Sequence, residues 1–277
     1  MRGESLTAAL VAALRARATE ADEPICEDAW ARWLCGEEGQ VMADRMISVF
    51  PPAELWIALR TAYIDGFLHR RIREGIDQVV LLGAGLDTRA VRLASPGVRF
   101  FEVDHPDTQE SKVAKLESLG DYPVSAAQYV SCNFETEGPV ERLFECGLAQ
   151  SRPTVVIWEG VVPYLHREAV VETLSSLSGN LHGESLVLFD IVNKALVAGD
   201  SRLDSDRELV DMVDEVGEPF RLGINDPIPL VVESGFRHVR TFSFDEICLE
   251  HTGTYDRDRS FRFQSFVLAS RARSLSF

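Results

Sequence analysis

The stretch from Gln78 to Arg89 restricts the fold more than any other part of the chain. Gln78-Val79-Val80-Leu81-Leu82 is apolar and rich in β-branched residues, and it stops abruptly at Gly83-Ala84-Gly85. A continuous apolar run belongs to a strand buried on both faces, as in a parallel sheet. Arg89 to Leu93 then reads as the start of a helix. Strand, glycine turn and helix N-terminus together form the unit on which nucleotides bind. Glycines there let a ligand approach the backbone with no side chain in between. Taken alone, the glycine pair is equally an ordinary tight βα turn. A second apolar run, Val98 to Val103, ends on Asp104. An acid at the tip of the second strand, about 20 residues after the turn, is placed to accept hydrogen bonds from ribose hydroxyls. The pair implies an adenosine-containing cofactor at the carboxyl ends of a parallel sheet.

The cofactor is not expected to carry phosphates. The third glycine of the dinucleotide fingerprint is missing, with Thr88 in its place. Asp87 puts a negative charge at the helix start, where a pyrophosphate would be repelled. Asp87 reads instead as a helix N-cap. S-adenosylmethionine, with ribose, adenine, a sulfonium and an amino-acid tail, meets these conditions. A nicotinamide-dependent oxidoreductase would use the same glycine pair and strand-end acid, and a binding protein of this fold without catalysis is a third reading. Asp87 and the absent glycine weigh against the oxidoreductase.

The 277 residues allow one large domain or one domain with a lid. Lys and Arg total 28 against 44 Asp and Glu, a net charge of −16. Such a field repels phosphate backbones and anionic headgroups, so neither nucleic acid nor a membrane is an expected partner. No segment reads as a secretory signal or a membrane span. The cysteines at 26, 35, 132, 146 and 248 have neither zinc-ligand nor redox spacing, so no metal is expected and a cytoplasmic location is.

Residues 1–74 read as an N-terminal helical cap. Leu6, Leu10, Val11 and Leu14 share one apolar face, Ala29, Trp33 and Leu34 another, and a longer helix runs from Ala53 to Glu74. Residues 75–277 read as the sheet domain. Strands are expected at 78–82, 98–103, 127–132, 154–158 and 185–191, with helices near 88–93, 106–119, 140–146 and 167–177. That alternation implies a doubly wound α/β fold. Pro227 to Ser234 reads as a short helix. Two last strands, 238–244 and 261–269, with no helical crossover between them, predict a terminal antiparallel hairpin on a mostly parallel seven-stranded sheet. The charged stretch 195–225, with Asp200, Arg202, Asp204, Asp206, Arg207 and Glu208, reads as a helical lid over the ligand side, or else as a solvated surface insertion.

Further candidates sit at strand ends. Asn133 offers an amide to an adenine edge and Phe134 a ring to lie against it; a turn asparagine and a core phenylalanine are the alternative. Glu159 ends the fourth strand, where a buried carboxylate needs a partner such as the ammonium of a cofactor's tail.

Four strings together carry a resemblance: 60–65 (Arg-Thr-Ala-Tyr-Ile-Asp), 82–89 (Leu-Gly-Ala-Gly-Leu-Asp-Thr-Arg), 102–106 (Glu-Val-Asp-His-Pro) and 159–165 (Glu-Gly-Val-Val-Pro-Tyr-Leu). The chain resembles the leucine carboxyl methyltransferase-like family of S-adenosylmethionine-dependent O-methyltransferases over roughly residues 20 to 270, and Pro24 to Leu34 is similar to that family's early helical segment. The resemblance implies a Rossmann-like class I methyltransferase fold. It implies that Arg60 holds a carboxylate, the cofactor's or the substrate's. Gly83, Ala84 and Gly85 would border the methionine moiety, Asp104 the ribose, and Glu159 the cofactor. Tyr164 would lie near the transferred methyl. Asn133-Phe134 departs from the family's usual Asp-Leu at the adenine, keeping an acceptor but losing the charge.

The sulfonium is already activated, so methyl transfer needs mainly an oxygen held in line. A carboxylate acceptor is ionised at neutral pH and needs no base, whereas a phenol does. The histidines are scattered, with His166 and His251 the two that could serve. The expectation is methyl esterification of a small natural-product or metabolic acid, with O-methylation of a phenol or enol on a polyketide-like molecule as the alternative.

Overall fold

The strands read as continuous apolar runs lie at the centre of the sheet. The computed structural model describes residues 5–134, 136–201, 203–215, 217–253 and 261–275. Three helices come first, α1 (Leu6–Thr19), α2 (Ala31–Val49) and α3 (Ala53–Arg73). Alternation follows: β1 (Gln78–Leu82), α4 (Arg89–Arg92), β2 (Arg99–Asp104), α5 (Pro106–Ser118), β3 (Ala127–Ser131), α6 (Pro139–Glu145), β4 (Val155–Trp158), α7 (Arg167–Asn180) and β5 (Leu186–Val192). Then come α8 (Lys194–Val197), α9 (Asp204–Glu215), α10 (Ile228–Glu233), β6 (His238–Ser243), α11 (Phe244–Thr252) and β7 (Gln264–Ser270).

The seven strands form one sheet in the order β3-β2-β1-β4-β5-β7-β6. All neighbours from β3 to β5 pair parallel, and β7 runs antiparallel to both β5 and β6. β1, β4 and β5 are buried along their whole length. The strand order reverses between β1 and β4, which opens a crevice at their carboxyl ends. The last two strands pair as expected, but a helix, α11, stands between them. Its start is a reciprocal capping box, Ser243 with Glu246, and Gly253 at φ 68° ends it.

One face of the sheet packs on the first three helices. Leu10, Leu34, Met46, Ile57 and Leu68 share a single apolar cluster with Val79, Leu81, Ile157 and Leu188, so the helical cap builds its main core jointly with the sheet. The other face, with Val80, Val156 and Trp158, packs on Leu143 of α6 and Leu174 of α7. The apolar face expected from Ala29, Trp33 and Leu34 is set differently. Ala29 precedes the helix, Trp33 is 64% exposed, and the inward residues are Ala31, Leu34 and Cys35, the i, i+3, i+4 set that one helix face requires.

The 195–225 segment is partly helical, and Arg202 falls outside the described residues. Leu209, Met212 and Val213 of α9 are buried, and α9 packs against α2. An arm then runs back to the sheet, where the N–H groups of Arg221 and Leu222 donate to the Pro163 carbonyl at 2.7 and 3.0 Å. Among the described residues no helix is long and apolar enough to cross a membrane.

Candidate active site

The glycine turn is shaped by close contacts that leave no room for a Cβ at Gly83 and little at Gly85. Gly83 has φ 65°, and a Cβ there would lie 2.3 Å from Val161 Cγ2. Gly85 has φ 48°, and its Cβ would meet that of Ala8 at 3.1 Å. Both conformations belong to the left-handed region, where glycine is unstrained. The N–H groups of Gly83 and Ala84 donate to Val103 O, and that of Gly85 to Asp104 Oδ2. The other carboxylate oxygen of Asp104 accepts the His105 N–H at 2.6 Å. Burial raises the Asp104 carboxyl above its ordinary range, with the two amides pulling the other way.

Asp87 caps the next helix from one residue further back than expected. Thr88 holds the N-cap position, and Asp87 Oδ1 accepts the Arg89 N–H at 2.6 Å. The Asp87 carboxylate also pairs with the Arg89 guanidinium, which reaches Asp65 at 2.6 Å and Glu159 at 2.7 Å as well. Burial opposes the charge on Asp87 and on Glu159. For each, Arg89 is the first charge that outweighs it, and both carboxyls lie below their ordinary range. Glu159 gains a second cation, Arg60, whose Nε donates to Oε1 at 2.6 Å. The Arg60 side chain lies over the Trp56 ring and is 5% exposed.

Glu159 leads into Gly160, whose N–H donates to Asp190 Oδ1 at 2.6 Å. Asp190 also accepts from Gln264 Nε2 at 2.7 Å, and Gln264 Oε1 accepts the Trp56 indole N–H. The loop after β4 is thus tied to α3 and β7. Tyr164 ends a short 3-10 turn, and its ring packs on Phe220 of the arm at 5.1 Å. Phe134 lies against Trp158, centroids 6.4 Å apart.

Arg60, Gly83, Ala84, Gly85, Asp104, Asn133, Phe134, Glu159 and Tyr164 line one cavity of about 700 Å³ at the carboxyl ends of the strands. Residues with no local signal complete its wall. Ser5, Ala8 and Val11 of the first helical segment contribute, as do Arg15, which donates to the Leu86 carbonyl at 2.6 Å, and Glu218 and Arg221 of the arm. Asp190 had a signal, an acid inside the apolar run Leu186 to Val192. His105 lines the cavity, and its Nδ1 accepts the Asp107 N–H that starts α5. His166 hydrogen-bonds Arg221, and His251 is exposed on α11.

The family model of leucine carboxyl methyltransferase matches residues 8–178, which include every one of those nine positions. The chain belongs to the leucine carboxyl methyltransferase family. Two relatives carry the provisional name S-adenosyl-L-methionine-dependent methyltransferase. One, from Mycolicibacterium paratuberculosis (strain ATCC BAA-968 / K-10), is 35% identical over 193 residues, 63% of this chain and 62% of the relative. The other, from Mycobacterium avium (strain 104), is 30% identical over 260 residues, 85% of this chain and 83% of the relative. The match to the first relative therefore spans less than two thirds of that protein's length. A solved structure of a DUF574 family protein from Streptomyces avermitilis MA-4680 shares the fold across 96% of this chain and 97% of its own, with a TM-score of 0.67 at 15% identity.

Proposed function

We propose that this member of the leucine carboxyl methyltransferase family transfers the methyl group of S-adenosylmethionine to a carboxylate of a small acid, giving a methyl ester. The observation that carries the cofactor is the glycine turn followed by a helix start closed by Asp87. A nucleoside without phosphates fits there, whereas a pyrophosphate would meet a carboxylate held ionised by Arg89.

The residues present fit that cofactor. Gly83 and Gly85 line the cavity and pack closely on Val161 and Ala8 of the same wall, which leaves the turn's backbone bare towards a ligand. Asp104 has lone pairs beyond the two amides for ribose hydroxyls, and Asn133 and Phe134 would border the adenine. Arg60 gives its Nε to Glu159, which leaves both Nη groups for the carboxylate of the tail, with Glu159 beside them for its ammonium. The bound group supplies a methyl already activated by a sulfonium. Tyr164 would orient the acceptor oxygen or line the methyl's path, while α1 and the arm after α9 exclude water.

A carboxylate acceptor suits a site whose lining histidine, His105, is engaged at the start of α5. Such an acceptor is ionised without help, so positioning carries the acceleration. The family's own name refers to carboxyl methylation. The net charge of −16 disfavours a nucleic-acid acceptor.

The test is mild alkali on the methylated product. An ester releases methanol, and a base-stable ether would overturn the carboxylate assignment while leaving methyl transfer in place. Calorimetric titration with S-adenosylhomocysteine and with NAD checks the cofactor; binding of NAD alone would refute it.

A further inference from the structure

Three arginines line the cavity, and two of them are neutralised. Arg15 gives its Nε to Asp28 at 3.0 Å, and Arg60 gives its Nε to Glu159, with its Nη groups assigned above to the cofactor's tail. Arg221, the third, has no carboxylate partner among the described residues. Its side chain makes one hydrogen bond, from Nη1 to His166 Nε2 at 2.8 Å. Guanidinium only donates, so that histidine nitrogen is the acceptor in this contact. The remaining N–H groups of Arg221 are left for a ligand.

The position of Arg221 is fixed from both sides. Its own N–H and that of Leu222 are anchored on Pro163 O, and the preceding ring, Phe220, packs on Tyr164. The arm and the turn after β4 are therefore fastened together at the cavity's rim, while Arg60 lies buried in the wall against Glu159. Arg221 also lies beyond residues 8–178, the span shared with the family model.

We propose that Arg221 is the specificity-determining residue that takes the acceptor's carboxylate at the rim, and that His166 is the positioning residue that holds its guanidinium. This rests on the carboxylate-methylating function above. A fork of two N–H groups uses one lone pair of each carboxylate oxygen and leaves another free on the oxygen that attacks. In the transfer, that lone pair forms the O–C bond while the methyl–sulfur bond breaks and its electron pair stays on sulfur. No proton moves. The ester has lost the charge that Arg221 recognises, so the same residue favours the acid over the product.

The experiment loads the full chain with S-adenosylhomocysteine and titrates it with benzoate, 3-phenylpropionate and hexanoate, and with their amides, by calorimetry. At least one acid is expected to saturate the wild type, with its amide about tenfold weaker or worse. Arg221→Gln should weaken that acid by about tenfold or more, with Arg221→Lys in between, because a hydrogen bond to a charged group is lost. Affinity for S-adenosylhomocysteine should stay within about twofold. His166→Ala should weaken the acid, and His166→Gln, whose amide oxygen accepts the same hydrogen bond, should restore it. The proposal is overturned if no acid binds the wild type, if amides bind equally, or if Arg221→Gln leaves acid affinity unchanged. A base-stable product would refute the parent function; a base-labile product with unaltered acid binding in Arg221→Gln would refute only the role of Arg221.

Discussion

Glu159 is held between two arginines, its Oε1 accepting from Arg60 Nε at 2.6 Å and its Oε2 from Arg89 Nη1 at 2.7 Å. Arg89 continues the chain of charges to Asp65 and Asp87. Buried ions of this kind depend on one another, and removing a single member leaves the rest uncompensated.

Arg60→Ala is therefore expected to act on binding and on stability together. Glu159 retains Arg89, so the fold should persist with unchanged far-ultraviolet circular dichroism and a lower melting temperature. Affinity for S-adenosylhomocysteine should fall by about tenfold or more through loss of a charged hydrogen-bond donor. Calorimetry checks this, and unchanged affinity would remove Arg60 from the cofactor site.

Acid should loosen the same network. The Glu159 carboxyl lies below its ordinary value of 4.5 in the fold, so its contribution is fully present above that pH and is lost as pH falls through the lower folded value. Asp87 acts in the same direction from 3.8. Glu159→Gln should melt below the wild type near neutral pH, and the gap should narrow as pH drops below 4.5. Melting curves across that range decide it; a gap independent of pH would mean that Glu159 stabilises through shape alone.

Gly83→Ala should be far more damaging than Gly36→Ala. Both glycines have positive φ, 65° and 63°, and an alanine there costs about 1–3 kcal/mol in backbone strain. At Gly36 nothing lies within 4 Å of the new methyl, whereas at Gly83 it meets Val161. Both variants should lose melting temperature, but only Gly83→Ala should lose affinity for S-adenosylhomocysteine. Equal binding in the two would show that the turn does not border the cofactor.

Asp190→Ala would strip partners from the Gly160 N–H and from Gln264. A buried group left unsatisfied costs about 1–3 kcal/mol, so a drop of several degrees in melting temperature is expected. Asp190→Asn, which keeps an acceptor for Gly160, should lose less. Identical losses would place the effect in packing rather than in the hydrogen bonds.

The parallel sheet was legible because β1, β4 and β5 are buried on both faces and apolar except at Gln78 and Asp190, whose polar atoms are hydrogen-bonded. Asp104 and Glu159 were legible as acids at strand ends. α11 was not anticipated, although Ser243 and Glu246 have the spacing of a capping box, because the flanking strands dominate the local pattern. Trp33 misled, since hydrophobicity alone does not say which side of a helix faces inward. Arg15 and Arg221 gave no local sign. Their places depend on contacts with Leu86 and with Pro163 and His166, far away in the chain.

The cavity is bordered by Ser5 and Ala8 at one end of the chain and by Arg221 towards the other. Synthesis proceeds from the N-terminus, so the wall from α1 to the glycine turn emerges well before the arm that carries Arg221. Gln264 of β7, which joins Trp56 of α3 to Asp190 of β5, emerges later still, so the loop after β4 is braced only when the last strand has entered the sheet.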